Sequence, residues 1–196
     1  MSRLILLAPM LLFGVVGGWL LFLFLQPGQG GRVYDNLVPE LIGFCLEGFV
    51  LIGLLSLIQR RRERERKEDL RLSLRGSLRN ILSHLDIGLL SDTAEPASSR
   101  ALEEDPRLVA ALMAKLADSP LDIDAMARIK TIARRDLTTI HDLIPVAAQL
   151  SADHIRWWLA ITDSVRLLAE GTDAMQVAAG LNRFLANLGE FDQLEM

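Results

Sequence analysis

Leu4 to Leu25 reads LILLAPMLLFGVVGGWLLFLFL, 22 consecutive residues without a charge. As a helix such a run is roughly 33 Å long at about 1.5 Å per residue, which matches the hydrocarbon thickness of a bilayer. An ordinary soluble globule of 196 residues does not carry a segment of this kind. Met1-Ser2-Arg3 could open a secretory signal, but the apolar core of a signal is only about 7 to 15 residues. An uncleaved span is therefore expected. A second apolar run covers Leu37 to Ile58. Gln26 to Arg32 (QPGQGGR) between them is a turn by composition. Asp35 or Asn36 can cap the second run, Pro39 falls in its first turn, and Glu40 suits the positive end of the helix dipole. Residues 1–59 are thus expected to form a two-span transmembrane helical hairpin, with spans at about 4–25 and 37–58.

Charge divides the chain at the same place. Residues 1–59 carry only Arg3, Arg32, Asp35, Glu40 and Glu47, so nearly all the charge lies beyond them. Arg60, Arg61, Arg62, Arg64, Arg66 and Lys67 crowd the exit of the second run, whereas the connecting loop holds Arg32 alone. Basic residues are retained on the cytoplasmic side, so both termini are expected there, in the inner (plasma) membrane if the host is a bacterium. The six cations are also candidates for contact with anionic lipid head groups, at up to about 1 kcal/mol per charge near the surface.

Two features inside the spans exceed what anchoring needs. Gly14 and Gly18, with Gly17 beside them, form a small-xxx-small pair that lets another helix approach closely. Glu47 lies near the middle of the second run, where an acid costs about 2.5 to 3.5 kcal/mol on insertion scales, so it should face protein or water. Glu40, Gly43 and Glu47 recur at helical spacing as one narrow polar stripe, bordered by Phe44 and Leu51. Self-association through the spans is the expectation, with an ion-conducting or membrane-perturbing assembly around Glu47 as the alternative.

The remainder reads as water-soluble and all-α. From Arg60 to Leu85, charge pairs such as Glu63–Lys67 support a helix. Leu70, Leu74, Leu78, Ile81 and Leu85 form an apolar stripe along it, and Arg71, Arg75 and Arg79 a basic one. Residues 60–90 are expected as a charged, amphipathic juxtamembrane stalk with Gly76 as its bending point, and residues 91–105 as a loop or hinge. Residues 106–196 then form a small cytoplasmic helical bundle. Asp105-Pro106 opens a helix from Arg107, and Ser119-Pro120 opens one that runs to about Ile144 and is ended or kinked by Pro145. Ser151 caps the next, in which Trp158, Ile161, Val165 and Leu168 face inward and Gly171 supplies the stop. Thr172 or Asp173 opens the last, with Ala174, Ala178, Leu181, Leu185 and Leu188 on its inner face.

Recognisable catalytic motifs are few. The chain has no phosphate-binding glycine loop, no Cys/His metal spacing and no G-x-S-x-G, and Cys45 is its single cysteine. No metal and no cofactor are expected. Arg79-Asn80-x-x-x-His84 and Arg135-Asp136-x-x-x-x-His141 each resemble, over six or seven residues, the R-x(4-6)-H motif of the HEPN family of helical-bundle ribonucleases. In that family the arginine and histidine of two protomers meet and cleave RNA by acid/base chemistry, so the resemblance implies a membrane-tethered ribonuclease working through Arg79, His84, Arg135 and His141. Charge argues the other way. Residues 60–79 are net +5 but residues 80–196 are net −8, and phosphate binding needs a positive surface, so no nucleic acid partner is expected. Trp157 points about 100° away from Trp158 and either covers a neighbouring helix or contacts a partner. The sequence thus reads as a non-enzymatic membrane protein that presents a helical domain to a cytoplasmic protein partner.

Overall fold

The structure, a computed structural model, describes residues 2–25, 32–90, 95–118 and 121–194, with side chains in the first two stretches described from Pro9 and from Asn36. The turn at 26–31, the Asp35 side chain, Ser119-Pro120 and the first part of the 91–105 segment lie outside the described residues. Every regular element described is helical. The chain divides into two compact units, Met1–Glu65 and Arg66–Met196.

The first unit contains α1 (Ser2–Phe24) and the leading part of α2 (Arg32–Ser77). α2 starts at Arg32, so Asn36 and Pro39 lie inside it; neither caps it nor opens it, contrary to the sequence expectation. The two helices pack antiparallel through glycine. Phe13 lies over Gly48, whose added Cβ would come within 2.8 Å of the ring, and Phe49 lies over Gly14 at 3.6 Å. Gly17 meets the buried Cys45, and the rings of Phe13 and Phe44 sit 5.9 Å apart. Outside this seam the surface is apolar: Leu11, Val15, Trp19 and Phe22 on α1, and Leu46, Leu51 and Leu57 on α2, are all exposed. Among the described residues α2 is the helix long and apolar enough to cross a membrane, from Asn36 onward, with 6% of its most apolar stretch buried. The described apolar stretch of α1, Pro9–Phe24, is shorter.

The second unit holds the rest of α2, then α3 (Arg79–Gly88), α4 (Ser99–Glu104), α5 (Arg107–Asp118), α6 (Ile123–Asp142), α7 (Ile144–Leu150), α8 (Ala152–Glu170) and α9 (Ala174–Asp192). The leucine stripe is real, but it does not belong to a stalk. Leu74, Leu78, Ile81, Leu82 and Leu85 have no exposed surface and are part of the same core as α5 to α9. The unit therefore begins at Arg66 and not at 106, and the helix breaks at Leu78, two residues beyond Gly76. The 91–105 segment is likewise not all loop: Ser98 accepts the Ala101 amide at 3.2 Å and caps α4, and buried Asp86 accepts the Ala97 amide at 2.7 Å.

Side-chain caps set most of the later boundaries. Asp105 accepts the Arg107 amide at 2.9 Å, Ser151 the His154 amide at 3.2 Å and Asp173 the Gln176 amide at 2.8 Å. α6 is capped by Asp122 accepting from Ala125, so its start falls after Ser119-Pro120. Pro145 sits in the first turn of α7, where its missing N–H costs little. Gly171 ends α8 without a left-handed backbone; its φ is −47°. A side chain there would meet Val177 and the Leu167 carbonyl. Lys130 and Arg134 of α6 reach the carbonyls of Gly171 and Ala169, satisfying a helix end that has no basic residue of its own in its last turn.

α8 and α9 form the centre of the bundle. Trp158, Ile161, Val165 and Leu168 are fully buried, as the periodicity implies. On α9 the inner face is Val177, Gly180, Leu181, Phe184, Leu185, Leu188 and Phe191; Ala174 is exposed and Ala178 only half-buried. Gly180 explains the rotation from the expected face. An added Cβ would sit 3.0 Å from the Leu168 amide nitrogen and 3.1 Å from its Cα, so α9 presses its glycine against backbone that cannot yield.

Candidate functional site

The basic stretch of α2 is solvent-facing: Arg60, Arg61, Arg62, Arg64 and Arg66 are exposed and Lys67 is half-buried. Arg61 pairs with Glu65 at 2.8 Å, and Arg66 donates to the Gln149 amide oxygen at 3.0 Å. In the first unit Glu40, Gly43 and Glu47 are all exposed, and a Cβ on Gly43 would find nothing within 4 Å. The polar stripe therefore faces away from the α1 seam, which runs along Cys45 and Gly48. The glycine pair divides in the same way. Gly14 packs under Phe49, whereas Gly18 faces open space and Gly17 supplies the second close approach.

The two arginine–histidine motifs are brought together, but not through their arginines and histidines. α3 and α6 run side by side, and Asn80 Nδ2 donates to Asp136 Oδ2 at 3.1 Å. Arg135 Nε donates to the other oxygen of the same Asp136 at 2.8 Å. Arg79 pairs with Glu103 at 2.7 Å. His84 Nδ1 lies 2.9 Å from the Asn80 carbonyl oxygen, which can only accept, so that nitrogen carries the proton. His141 is exposed, with Asp142 3.9 Å away. Within one chain each motif arginine is held by a carboxylate and, among the described residues, neither of them meets a motif histidine. Trp157 is half-buried against the core, with the Arg156 guanidinium over its ring at 5.6 Å. It covers its own bundle. Among the described residues no group of three His, Cys, Asp or Glu side chains is placed to hold a metal ion.

The most heavily buried ion pair among the described residues of the second unit is one that the sequence hides. Arg75 of α2 and Asp192 at the end of α9 meet at 2.7 Å with 3% and 5% of their side chains exposed. The meeting is charge to charge without aligned N–H···O geometry. Arg75 also reaches the Asp105 carbonyl at 3.5 Å, and Arg71, one turn earlier, donates to the backbone carbonyl of Asp192. Burial pulls the Arg75 guanidinium below its ordinary pKa against the attraction of Asp192. Burial likewise pushes Asp192 above the usual carboxylate value against the pull of Arg75 and Arg71. A cleft of about 370 Å³ opens beside the pair, lined by Glu68, Arg71, Arg75, Glu103, Glu104 and Asp192. Its charges are largely consumed internally: Arg75 by Asp192, Glu103 by Arg79 and Glu104 by Arg100.

Next to it, His154 is 2% exposed. Its Nδ1 lies 2.8 Å from the Ser151 hydroxyl, its ring packs edge-on to Phe191 at 5.4 Å, and its Nε2 has no hydrogen-bond partner among the described residues. Burial first, then Arg71 and Lys67, hold its pKa below the ordinary histidine value. Comparison with family models, curated proteins and solved structures finds no match for this chain.

Proposed function

We propose that the chain is a non-enzymatic integral membrane protein: a two-span hairpin with both termini in the cytoplasm, carrying a helical domain for a cytoplasmic protein partner. The observation that carries the reading is the outward apolar surface of the first unit, where Trp19 and Phe22 are 61% and 62% exposed beside the long apolar helix. A soluble monomer rarely leaves so continuous a patch in water, whereas lipid covers it without cost. The cations Arg60 to Lys67 then lie where anionic head groups attract them. Among the described residues, neither the cleft beside Arg75 nor the motif histidines supply a built catalytic centre within one chain. The test is topology. A reporter active only outside the cytoplasm is expected to work when inserted at Gly30 and to fail when fused after Met196; the opposite pattern would reverse the orientation, and release of the protein by alkaline carbonate would end the membrane reading.

The outward direction of Glu40, Gly43 and Glu47 supports self-association. An acid facing hydrocarbon is costly, and no lysine or arginine lies in the second apolar run to offset it. A second copy laid over Gly43 could exchange hydrogen bonds between Glu47 carboxyl groups, worth roughly 1 to 2 kcal/mol by model-peptide values and less in natural bundles. Glu47→Gln is expected to keep the assembly and Glu47→Leu to weaken it, read as mass in mild detergent. Equal masses for wild type and Glu47→Leu would sink the idea. Ion conduction through such an assembly is the second reading, carried by the same outward carboxyl and decided by conductance in planar bilayers.

A further inference from the structure

We propose that His154 is an acid-triggered release point that loosens the end of α2, residues 66–77, from the ends of α8 and α9 when it takes up a proton. This goes beyond the membrane reading and does not depend on it, because every group involved belongs to the second unit.

Three observations place a proton acceptor where a proton does damage. First, the ring is almost completely buried at the first turn of α8, where only one of its nitrogens has a polar neighbour. Ser151 serves Nδ1 whichever of the two is the donor. An imidazolium carries an N–H on both nitrogens together with a full charge, and among the described residues the Nε2 donor would have no acceptor. Second, the charges that face it are mostly positive. Lys67 and Arg71 of α2 oppose a charge on it; Asp153 of α8 favours one, but that side chain is 62% exposed and shared with Arg156. From α9 it meets the apolar Phe191, and the neighbouring Asp192 carboxylate is already taken by Arg75. From α7, Gln149 is neutral and holds Arg66. Third, the position is a junction. Arg71 and Arg75 fasten α2 to Asp192, and Phe191, the residue before it, touches both His154 and Trp158. A charge forced into this corner acts on the contacts that hold α2 to α8 and α9 together.

The sign follows from linkage. The folded-state pKa of His154 is depressed, so its contribution to stability is complete above the unfolded value of about 6.5 and is lost as pH falls through the folded value. Asp192 works in the opposite sense. Its folded pKa is raised, so its contribution is complete below the ordinary carboxylate value and is lost as pH rises through the folded value; acidification alone therefore favours the fold at that group. A histidine variant separates the two.

The experiment is amide hydrogen exchange on the full chain in detergent at pH 7.5 and pH 5, each corrected for the intrinsic exchange rate. In the wild type, exchange within residues 66–77 and 187–194 is expected to rise roughly tenfold at the lower pH. His154→Gln keeps a neutral polar group for Ser151 but does not titrate, and should stay within about twofold. Lys67→Met leaves His154 in place and removes one opposing charge, so its response should shrink below that of the wild type; it serves if His154→Gln does not fold. A wild type without the rise, or a rise of equal size in His154→Gln or in Lys67→Met, overturns the proposal.

Discussion

Trp158→Ala is expected to lower the stability of the helical unit by about 3–5 kcal/mol, among the largest effects available to a single substitution here. The indole is fully buried between α6 and α9, and its ring lies 5.7 Å from that of Phe191. Its Nε1 donates to the Ile140 carbonyl at 3.1 Å, in the last turn of α6, where carbonyls run out of partners inside the helix. Alanine removes the volume and leaves that carbonyl without its side-chain donor. Trp158→Phe keeps most of the volume and loses only the donor, so it should cost about 1–3 kcal/mol. Thermal unfolding followed by circular dichroism reads the difference, with a shift on the order of ten degrees for the alanine variant. Equal shifts for the two variants would mean that the packing contributes little.

Asp192→Ala is expected to cost a comparable amount, about 3–5 kcal/mol, because it strands the Arg75 guanidinium in a place where 3% of that side chain is exposed. The hydrogen bond from Arg71 survives, since it ends on the backbone carbonyl of residue 192 and not on the carboxylate. The penalty therefore reports the uncompensated charge. Arg75→Met should recover most of the loss when combined with Asp192→Leu, since removing both charges removes the desolvation cost as well. Chemical denaturation of Arg75→Met, Asp192→Leu and the double variant forms the cycle. A double variant no more stable than Asp192→Ala would show that the pair does more than offset its own burial.

These two residues also mark what was legible beforehand and what was not. Trp158 could be read as core from the spacing with Ile161, Val165 and Leu168, a local signal confined to one helix. Ser151, Asp105 and Asp173 could be read as caps for the same reason, since the amides they bind lie two or three residues on. Arg75 could not be read. In the sequence it belongs to a basic stripe with Arg71 and Arg79 that looks solvated, and Arg71 finds its partner 121 positions away. That invisible pairing is why the second part of α2 reads as a free stalk when it is a wall of the bundle. The inner face of α9 escaped for a related reason. Gly180 carries no hydrophobic signal, and only the Leu168 backbone opposite shows that the helix must turn that side inward. The candidate site divides along the same line: the motif residues were found by local spacing, but whether Arg79 meets His84 or Glu103 depends on a helix that spacing does not describe.

The seam between α1 and α2 has an implication for how the two helices can change over generations. It holds two reciprocal exchanges of large for small, Phe13 over Gly48 and Phe49 over Gly14. A side chain at Gly48 would have to displace the Phe13 ring, whereas at Gly14 a first carbon meets Phe49 at ordinary contact and a larger group would press on it. A swap that moves the bulk across the seam, with a small residue at 13 and a larger one at 48, keeps the summed volume and the distance between the helices. Descendants of this chain should therefore vary at these positions in couples and seldom singly, with the total size of each couple held nearly constant while its members trade places.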